Sequence, residues 1–217
     1  MDTVSGIGVL DKTMTILRLA QAGPVTLRDL VEGSDISRAT AHRLAQGMAT
    51  VGLLRRTGDA SYTLGPVLIG LGRGAADAFP LSAVALPVLR RLRDDTGESA
   101  QLYVADEGER LCVAAVDSTH ELRTIVPVGA RLPLDRGSAG QVLSGRTPAH
   151  GWAESVAERA PGVASVSAPV RDDGRLVAAV SISGPVDRLG PSPGAELGHA
   201  VAGAARDLET AVAASSV

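Results

Sequence analysis

The sequence has few aromatic residues, one cysteine and one lysine. Its 217 residues include four aromatic side chains, too few and too scattered for the base-stacking surfaces that bind single-stranded nucleic acid. The single cysteine, Cys112, excludes an internal disulfide and a cysteine-rich zinc site. Apart from Lys12, every basic side chain is an arginine, which suits phosphate contacts but is also typical of a GC-rich genome.

Long apolar runs are also absent. No segment approaches the roughly 20 residues that span a bilayer, and the N-terminus lacks the pattern of a signal peptide, so we expect a cytoplasmic protein. The four histidines show no metal-ligand spacing, and the glycine-rich run 70–74 lacks the features of a phosphate-binding loop. We therefore expect no metal, no cofactor and no enzymatic activity.

The net charge of −3 hides an asymmetry along the chain. Residues 1–75 carry 8 basic and 6 acidic side chains, whereas residues 76–217 carry 13 and 18. This difference indicates two units. We expect a first domain over residues 1–65, a linker helix over 66–79 and a second domain over 80–217.

The first domain is predicted to contain three helices and a hairpin. Leu10, Met14 and Leu17 recur at helical spacing, Thr26 can cap a second helix, and Ser37 can cap a third. Two short strand patterns on either side of a turn at residues 57–60 then predict a hairpin with arginines on its first strand. Three helices followed by a basic hairpin is the order of a winged helix-turn-helix.

The third helix separates an apolar stripe from a small, polar and basic face. The predicted core stripe contains Ala41, Leu44, Met48 and Val51. The opposite face suits entry into the major groove of DNA, although a merely solvated helix face was equally consistent with this pattern alone. The candidate DNA-contacting residues on this helix and the hairpin are Arg38, Ala39, Thr40, His42, Arg43, Gln46, Arg55 and Arg56.

The second domain alternates strand and helix patterns. A helix is predicted from Leu81 to Thr96 and a long one at the C-terminus, with a short helix at residues 137–143. The predicted strands cover residues 99–105, 110–116, 122–128, 163–170 and 176–183. These elements predict an α+β fold with a mainly antiparallel sheet.

Six sequence motifs occur in a characteristic order along the chain: RATAHRLA at 38–45, YTLGP at 62–66, TGESAQLY at 96–103, VPVGARLPL at 126–134, GSAG at 137–140 and SISGPVDRL at 181–189. On these motifs the chain resembles the IclR family of transcriptional regulators over nearly its whole length. The resemblance implies a winged helix-turn-helix, a linker helix and a GAF-like effector-binding domain. It also implies binding to a double-stranded DNA operator as a homodimer, with tetramers through the effector domains as a further expectation.

Two further strings are similar to the actinobacterial NdgR-like subgroup, whose members control genes of leucine and other amino-acid metabolism. These strings are GVLDK near the start and PGVASVSAPVR at 161–171. The resemblance therefore implies a small effector such as a carboxylate, an amino acid or a 2-oxo acid. The residues it implicates in effector binding are Ser138, Ala139, Ser155, Ser165, Ser181 and Ser183. Backbone N–H groups around Ser138 are a second reason to expect an anion there.

The serines of the last two predicted strands share one pocket only in one register. A two-residue turn would pair Ser165 with Ile182 and separate the serines, whereas a three-residue loop at 172–174 pairs Ser165 with Ser181. We predict the three-residue loop. Without the family resemblance, small serines packed beneath helices would be the commoner explanation.

One junction departs from the family pattern. Only five residues lie between Gly145 and Gly151, where the family has a longer, partly helical segment. Either the domain is shorter here or the printed sequence omits a loop; the good match on both sides favours an omitted loop. Two other functions stay open: a small-molecule-binding module whose helix-turn-helix contacts protein, and an enzyme that uses the C-terminal cavity.

Overall fold

The computed structural model describes residues 6–34, 36–77 and 81–215. The chain divides into two compact units, residues 1–78 and 79–217. The predicted start of the second domain, near Phe79 and Pro80, lies outside the described residues. The two units are considered separately below.

The first unit has the predicted order of three helices, a hairpin and a fourth helix. Thr26 caps the second helix: its hydroxyl accepts from the Asp29 N–H at 3.3 Å. In return the Thr26 N–H donates to the Asp29 carboxylate at 2.8 Å, which lowers the pKa of Asp29 below its ordinary value. The Ser37 hydroxyl caps the third by accepting from the Thr40 N–H at 3.3 Å. The elements are α1 (Gly8–Ala22), α2 (Leu27–Ser34), α3 (Arg38–Thr50), β1 (Leu54–Arg56), β2 (Tyr62–Leu64) and α4 (Val67–Asp77).

The core of this unit differs from the predicted stripes at two places. Helix α1 buries Ile16 and Ala20, while the predicted Leu10 and Met14 stay about half exposed on its other side. On α3 the buried residues are Ala41, Ala45 and Met48. Val51 is 60% exposed because α3 ends at Thr50 and the chain turns away there.

The second unit is a six-stranded sheet in which every pairing is antiparallel, with strand order β5-β4-β3-β8-β7-β6. This confirms the predicted α+β fold with an antiparallel sheet. Its elements are α5 (Leu81–Thr96), β3 (Ser99–Asp106), β4 (Glu109–Val116), β5 (Arg131–Pro133), α6 (Ser138–Leu143), β6 (Ala153–Val156), β7 (Val163–Asp172), β8 (Arg175–Pro185), α7 (Val186–Leu189) and α8 (Pro193–Ser215).

The sheet separates two layers of different chemistry. Helices α5 and α8 pack on one face, where Leu89, Leu102, Ile182 and Leu208 belong to a large apolar core. Helix α6 packs on the other face, against β6, β7 and β8. Because side chains alternate along a strand, the residues next to Leu102 on β3 and next to Ile182 on β8 point towards α6.

The strand predicted over residues 122–128 does not form. Leu122, Ile125 and Val128 are exposed, and the edge of β4 instead pairs with β5. Pro127 has no N–H to donate to a ladder, so the chain pairs with Cys112 only at Gly129 and Ala130. The sequence prediction also missed β6, which lies in the segment after the turn-rich stretch.

The register of the β7–β8 hairpin differs from the predicted one, yet the serines of both strands still lie on the same face of the sheet. Its turn has two residues, Asp173 and Gly174, and both have the positive φ that a type I′ turn requires. A bulge then places one extra residue, Val177, on β8 and shifts the pairing. Ser165 therefore lies opposite Ser183, instead of Ser181 as predicted or Ile182.

The 145–151 junction closes as two turns that lead into β6. The Gly145 N–H donates to the carbonyl of Val142, and the Gly151 N–H donates to that of Pro148 at 3.0 Å. That a loop of the family pattern is omitted between Gly145 and Gly151 stays a prediction.

Candidate functional site

The N-terminal half of α3 presents the predicted basic face. Arg38, Ala39, His42, Arg43 and Gln46 are all exposed. The spacing of these residues places their side chains on the sides of α3 away from buried Ala41, Ala45 and Met48. This surface can donate hydrogen bonds to base edges and phosphates, and the small Ala39 allows close approach.

Thr40 differs from the other predicted contacts on α3. It is half buried, and both its backbone N–H and its hydroxyl hydrogen-bond to the Ser37 hydroxyl, at 3.3 and 3.0 Å. This arrangement gives Thr40 a structural part in the start of α3.

The hairpin presents two arginines beside this helix. Arg55 and Arg56 are both exposed on β1, where they pair with Thr63 and Tyr62 of β2. Tyr62 also forms a β-bridge to Val25, with N–H to carbonyl distances of 2.9 and 2.7 Å, which braces the hairpin against the first two helices. Sequence reasoning missed this bridge because one isolated pair leaves no periodic signal.

The basic side chains of this surface are not neutralised by acids. Among the described residues, none of Arg38, Arg43, Arg55 and Arg56 takes part in an ion pair. Arg28 of α2, by contrast, pairs with Glu32 at 2.7 Å. Arginines without acidic partners can take up phosphates of a duplex.

In the second unit, four serines form one chain of hydrogen bonds. The Ser138 hydroxyl, at the start of α6, lies 2.7 Å from the hydroxyls of both Ser165 and Ser167. The Ser167 hydroxyl donates to that of Ser181 at 2.8 Å. We call these four residues the serine cluster. The structure thus brings Ser138, Ser165 and Ser181 together, as predicted, and adds Ser167.

The other predicted residues surround this cluster. Ser155 lies opposite Ser165 on β6, and Ser183 lies opposite it on β8, so the three form a row across the sheet. Ala139 belongs to a separate apolar cluster with Tyr103 and Cys112. Ser155, Ser183 and Ala139 are each no more than 5% exposed, whereas Ser165 between them is partly exposed.

Gln101 is the residue that the sequence prediction missed. It is fully buried on β3, opposite Ser181, and its side-chain oxygen accepts from the Ser183 hydroxyl at 3.2 Å. Its amide nitrogen has no hydrogen-bond partner, which is costly for a buried donor. The alternation of Ser99 and Gln101 along β3 was a usable signal.

The turn before α6 is already occupied by an acid of the same chain. The Gly137 N–H donates to the Glu158 carboxylate at 2.9 Å, and Gln141 lies 3.5 Å from both oxygens of that carboxylate. Helix α6 has only six residues. The Gly137 N–H is therefore not free to bind an effector, and the anion site expected at the N–H groups of residues 138–140 stays a prediction.

Cys112 is the buried core residue that the sequence predicted. It is fully buried among the α6-side residues, and burial raises the pKa of its thiol to about 12. Within the described part of the chain, no cluster of three or more His, Cys, Asp or Glu side chains is arranged to bind a metal ion. No helix there is long and apolar enough to cross a membrane.

Two family descriptions match the chain. The IclR helix-turn-helix domain matches residues 9–58, and the C-terminal domain of bacterial IclR transcriptional regulators matches residues 74–149 and 145–210. The chain belongs to the IclR family. It is a DNA-binding transcriptional regulator with an effector-binding C-terminal domain. Because this is a family of regulators, the prediction that the chain is not an enzyme is confirmed.

Individual relatives agree with this assignment. The glycerol operon regulatory protein of Streptomyces griseus is 31% identical over 94% of each chain. The crystal structure of a transcriptional regulator from Rhodococcus sp. RHA1 has a TM-score of 0.72 and 24% identity, covering 96% of this chain and 99% of that chain. An IclR homologue from Microbacterium hydrocarbonoxydans, crystallised with 4-hydroxybenzoate, has a TM-score of 0.71 and 22% identity over 95% and 99%.

Proposed function

We propose that the exposed face of α3 and the hairpin arginines bind an operator. Arg43, His42 and Gln46 would contact base edges in the major groove, with Ala39 against a thymine methyl. Arg38 at the helix start, and Arg55 and Arg56 on the hairpin, would contact phosphates. The observation that carries this proposal is the set of exposed arginines without acidic partners, on a helix and a wing of one small unit.

The operator-bound form is proposed to be a homodimer. Helix α4 exposes Ile69 and Leu71, and α1 exposes Leu10 and Met14. Exposed apolar residues of this size on helices favour burial against a second copy. Leu122, Ile125 and Val128 form a further exposed apolar segment in the second unit, which supports a tetramer through the effector domains. A two-fold dimer suits a pseudo-palindromic operator.

The effector is proposed to bind at the serine cluster with Gln101. Hydroxyls and an amide select a small molecule with several hydrogen-bonding groups, and neighbouring Ala139 and Ala179 accept an aliphatic part. We propose a small carboxylate, an amino acid or a 2-oxo acid. The carboxylate bound to the Microbacterium homologue supports this chemical class.

The proposed targets are genes of amino-acid metabolism of the leucine type. The proposed location of the protein is the cytoplasm, where the DNA lies. A second candidate target is a glycerol operon, because the Streptomyces griseus relative regulates one. In either case the effector changes operator affinity through its different affinities for two conformations of the regulator.

The test is a titration of the full chain against its own upstream intergenic DNA. Affinity would be measured across a salt series, with and without leucine, other branched-chain amino acids, their 2-oxo acids and glycerol. Arg43→Ala removes a proposed base contact, and Arg28→Ala removes the same charge at a position of α2 that the proposal does not include. Specific binding with a steep salt slope, weakened only by Arg43→Ala, is expected.

The outcomes separate the alternatives. Weak binding that is insensitive to salt would favour a module whose helix-turn-helix contacts protein. Specific binding that responds to glycerol, and to no amino or 2-oxo acid, would replace the amino-acid assignment with the glycerol one.

A further inference from the structure

Arg110 is a buried guanidinium with no ionic partner. The residue is 3% exposed, and it takes part in no ion pair among the described residues. The half-buried Arg93, by contrast, pairs with Asp94 at 2.6 Å, and the more exposed Arg188 and Arg131 also have carboxylate partners. Burial lowers the pKa of Arg110, and the opposing attraction of Asp135 does not offset it.

The hydrogen bonds of Arg110 leave one edge of the guanidinium unused. Nη1 donates to the carbonyl of Arg136 at 2.6 Å, whereas Nε is buried and has no partner. Nε and Nη2 form the planar edge that binds the two oxygens of a carboxylate side by side. The guanidinium carbon also lies 5.6 Å from the centre of the Tyr103 ring.

Two glycines hold this group next to the serine cluster. A Cβ at Gly137 would lie 3.2 Å from Nη2, and one at Gly140 would lie 2.7 Å from Nη1. The turn that carries Ser138 therefore rests directly on the guanidinium, and Gly137 also needs its positive φ of 79°. A side chain at either glycine would displace Arg110.

The nearest acids are committed elsewhere. Asp135 hydrogen-bonds to Arg136 at 3.0 and 3.2 Å, and Glu158 accepts from the Gly137 N–H. Arg159 adds a second positive charge that acts on Arg110. A surface cleft of about 800 Å³ is lined by Glu109, the neighbour of Arg110 in the chain, and by Arg136, whose carbonyl accepts from Arg110; Arg110 itself does not line it.

We propose that Arg110 is the centre of an anion subsite that binds the carboxylate of the effector. The inference rests on the proposed effector role of this domain. Arg110 supplies the charge, and the serine cluster with Gln101 hydrogen-bonds the remainder of the molecule. The effector is thus a monocarboxylate, and its binding neutralises a charge that the ligand-free fold leaves unpaired.

Thermal unfolding of the full chain tests this subsite with acetate as the probe. Sodium acetate is compared with sodium chloride and sodium phosphate at equal ionic strength, in the wild type, in Arg110→Met and in Arg146→Met. Arg146→Met is the matched control, because Arg146 is an exposed arginine lining the same cleft. Acetate well above its Kd should raise the Tm of the wild type and of Arg146→Met by about 2–4 °C over chloride, and leave that of Arg110→Met unchanged.

Stability without acetate gives a second readout. Arg110→Met should be at least as stable as the wild type in chloride, because it removes a buried unpaired charge. A large loss of Tm in chloride would instead make Arg110 a structural residue that holds the Arg136 carbonyl. No acetate effect on the wild type, or an equal effect of phosphate through Arg110, would also overturn the proposal. Operator binding by Arg110→Met is measured separately. If this variant binds the operator, the absence of an acetate effect counts against the anion subsite and not against the proposed function as a DNA-binding regulator.

Discussion

Arg188 binds both carboxylate oxygens of Glu98 in the second unit. Arg188 Nη2 lies 2.8 Å from Glu98 Oε2, and Nε donates to Oε1. Glu98 is 1% exposed, and Gly184 leaves it room, since a Cβ at that position would lie 2.2 Å from Oε2. This pair joins the start of β3 to α7, next to the serine row.

Replacing Glu98 should be costly for stability. Glu98→Gln breaks the two charge-assisted hydrogen bonds of a carboxylate that is 1% exposed, and we expect the free energy of unfolding to fall by about 1.5–3 kcal/mol. Asp94→Asn is the control, because Asp94 pairs with Arg93 but is 62% exposed; its effect should stay below about 1 kcal/mol. Denaturant unfolding measures both, and equal effects would show that burial of the pair does not matter.

The residues proposed to contact bases and those proposed to contact phosphates should differ in how they affect the salt dependence of DNA affinity. Arg43→Ala should weaken specific binding by about 1–3 kcal/mol and relax preference at one base position. Arg56→Ala should weaken specific and non-specific binding alike, and lower the salt slope by about 1 for each copy bound. Competition titrations with altered operators at several salt concentrations distinguish these effects.

The serine cluster should control the effector response and not DNA affinity. Ser181→Ala leaves the Ser167 hydroxyl without its acceptor, so we expect at least about a tenfold loss in effector affinity with unchanged operator affinity. Ser144→Ala, at the exposed end of α6, is the matched control. An unchanged effector response in Ser181→Ala would remove the cluster from the binding site.

The Cys112 thiol should be inert in the folded protein. Its pKa of about 12 leaves almost no thiolate at about pH 8, and the side chain is fully buried. Labelling with a thiol reagent should therefore be slow and follow the rate of opening, whereas the denatured chain should react at once with one thiol. Rapid labelling of the native protein would contradict the burial of this face.

Local signals in the sequence predicted the first unit well. The caps at Thr26 and Ser37 and the polar face of α3 depend on residues within one or two turns of each other. The same local signals predicted α5 and the two strands that follow it, β3 and β4. The exposed Leu10 and Met14 were not separable from core residues, because a helical repeat does not say which face packs internally.

Longer-range features were less predictable. The bulge at Val177 depends on how β7 and β8 twist together, and it changed which serines pair. The alternation of Ser99 and Gln101 marks a polar face of β3, but nothing in the segments of Gln101 and Arg110 indicates that their amide and guanidinium lack partners. Only the fold brings Arg110 beneath the turn at Gly137.

The bulge has an evolutionary consequence. Side chains alternate between the two faces of the sheet along β8. One residue more or one fewer on β8 between the turn and the serines would therefore turn Ser181 and Ser183 towards the apolar layer of α5 and α8. In related sequences the residues at the tip of the hairpin can therefore vary, but insertions or deletions in the strand beyond Val177 must come two residues at a time. The serines therefore remain in the pocket only as long as this spacing along β8 is kept.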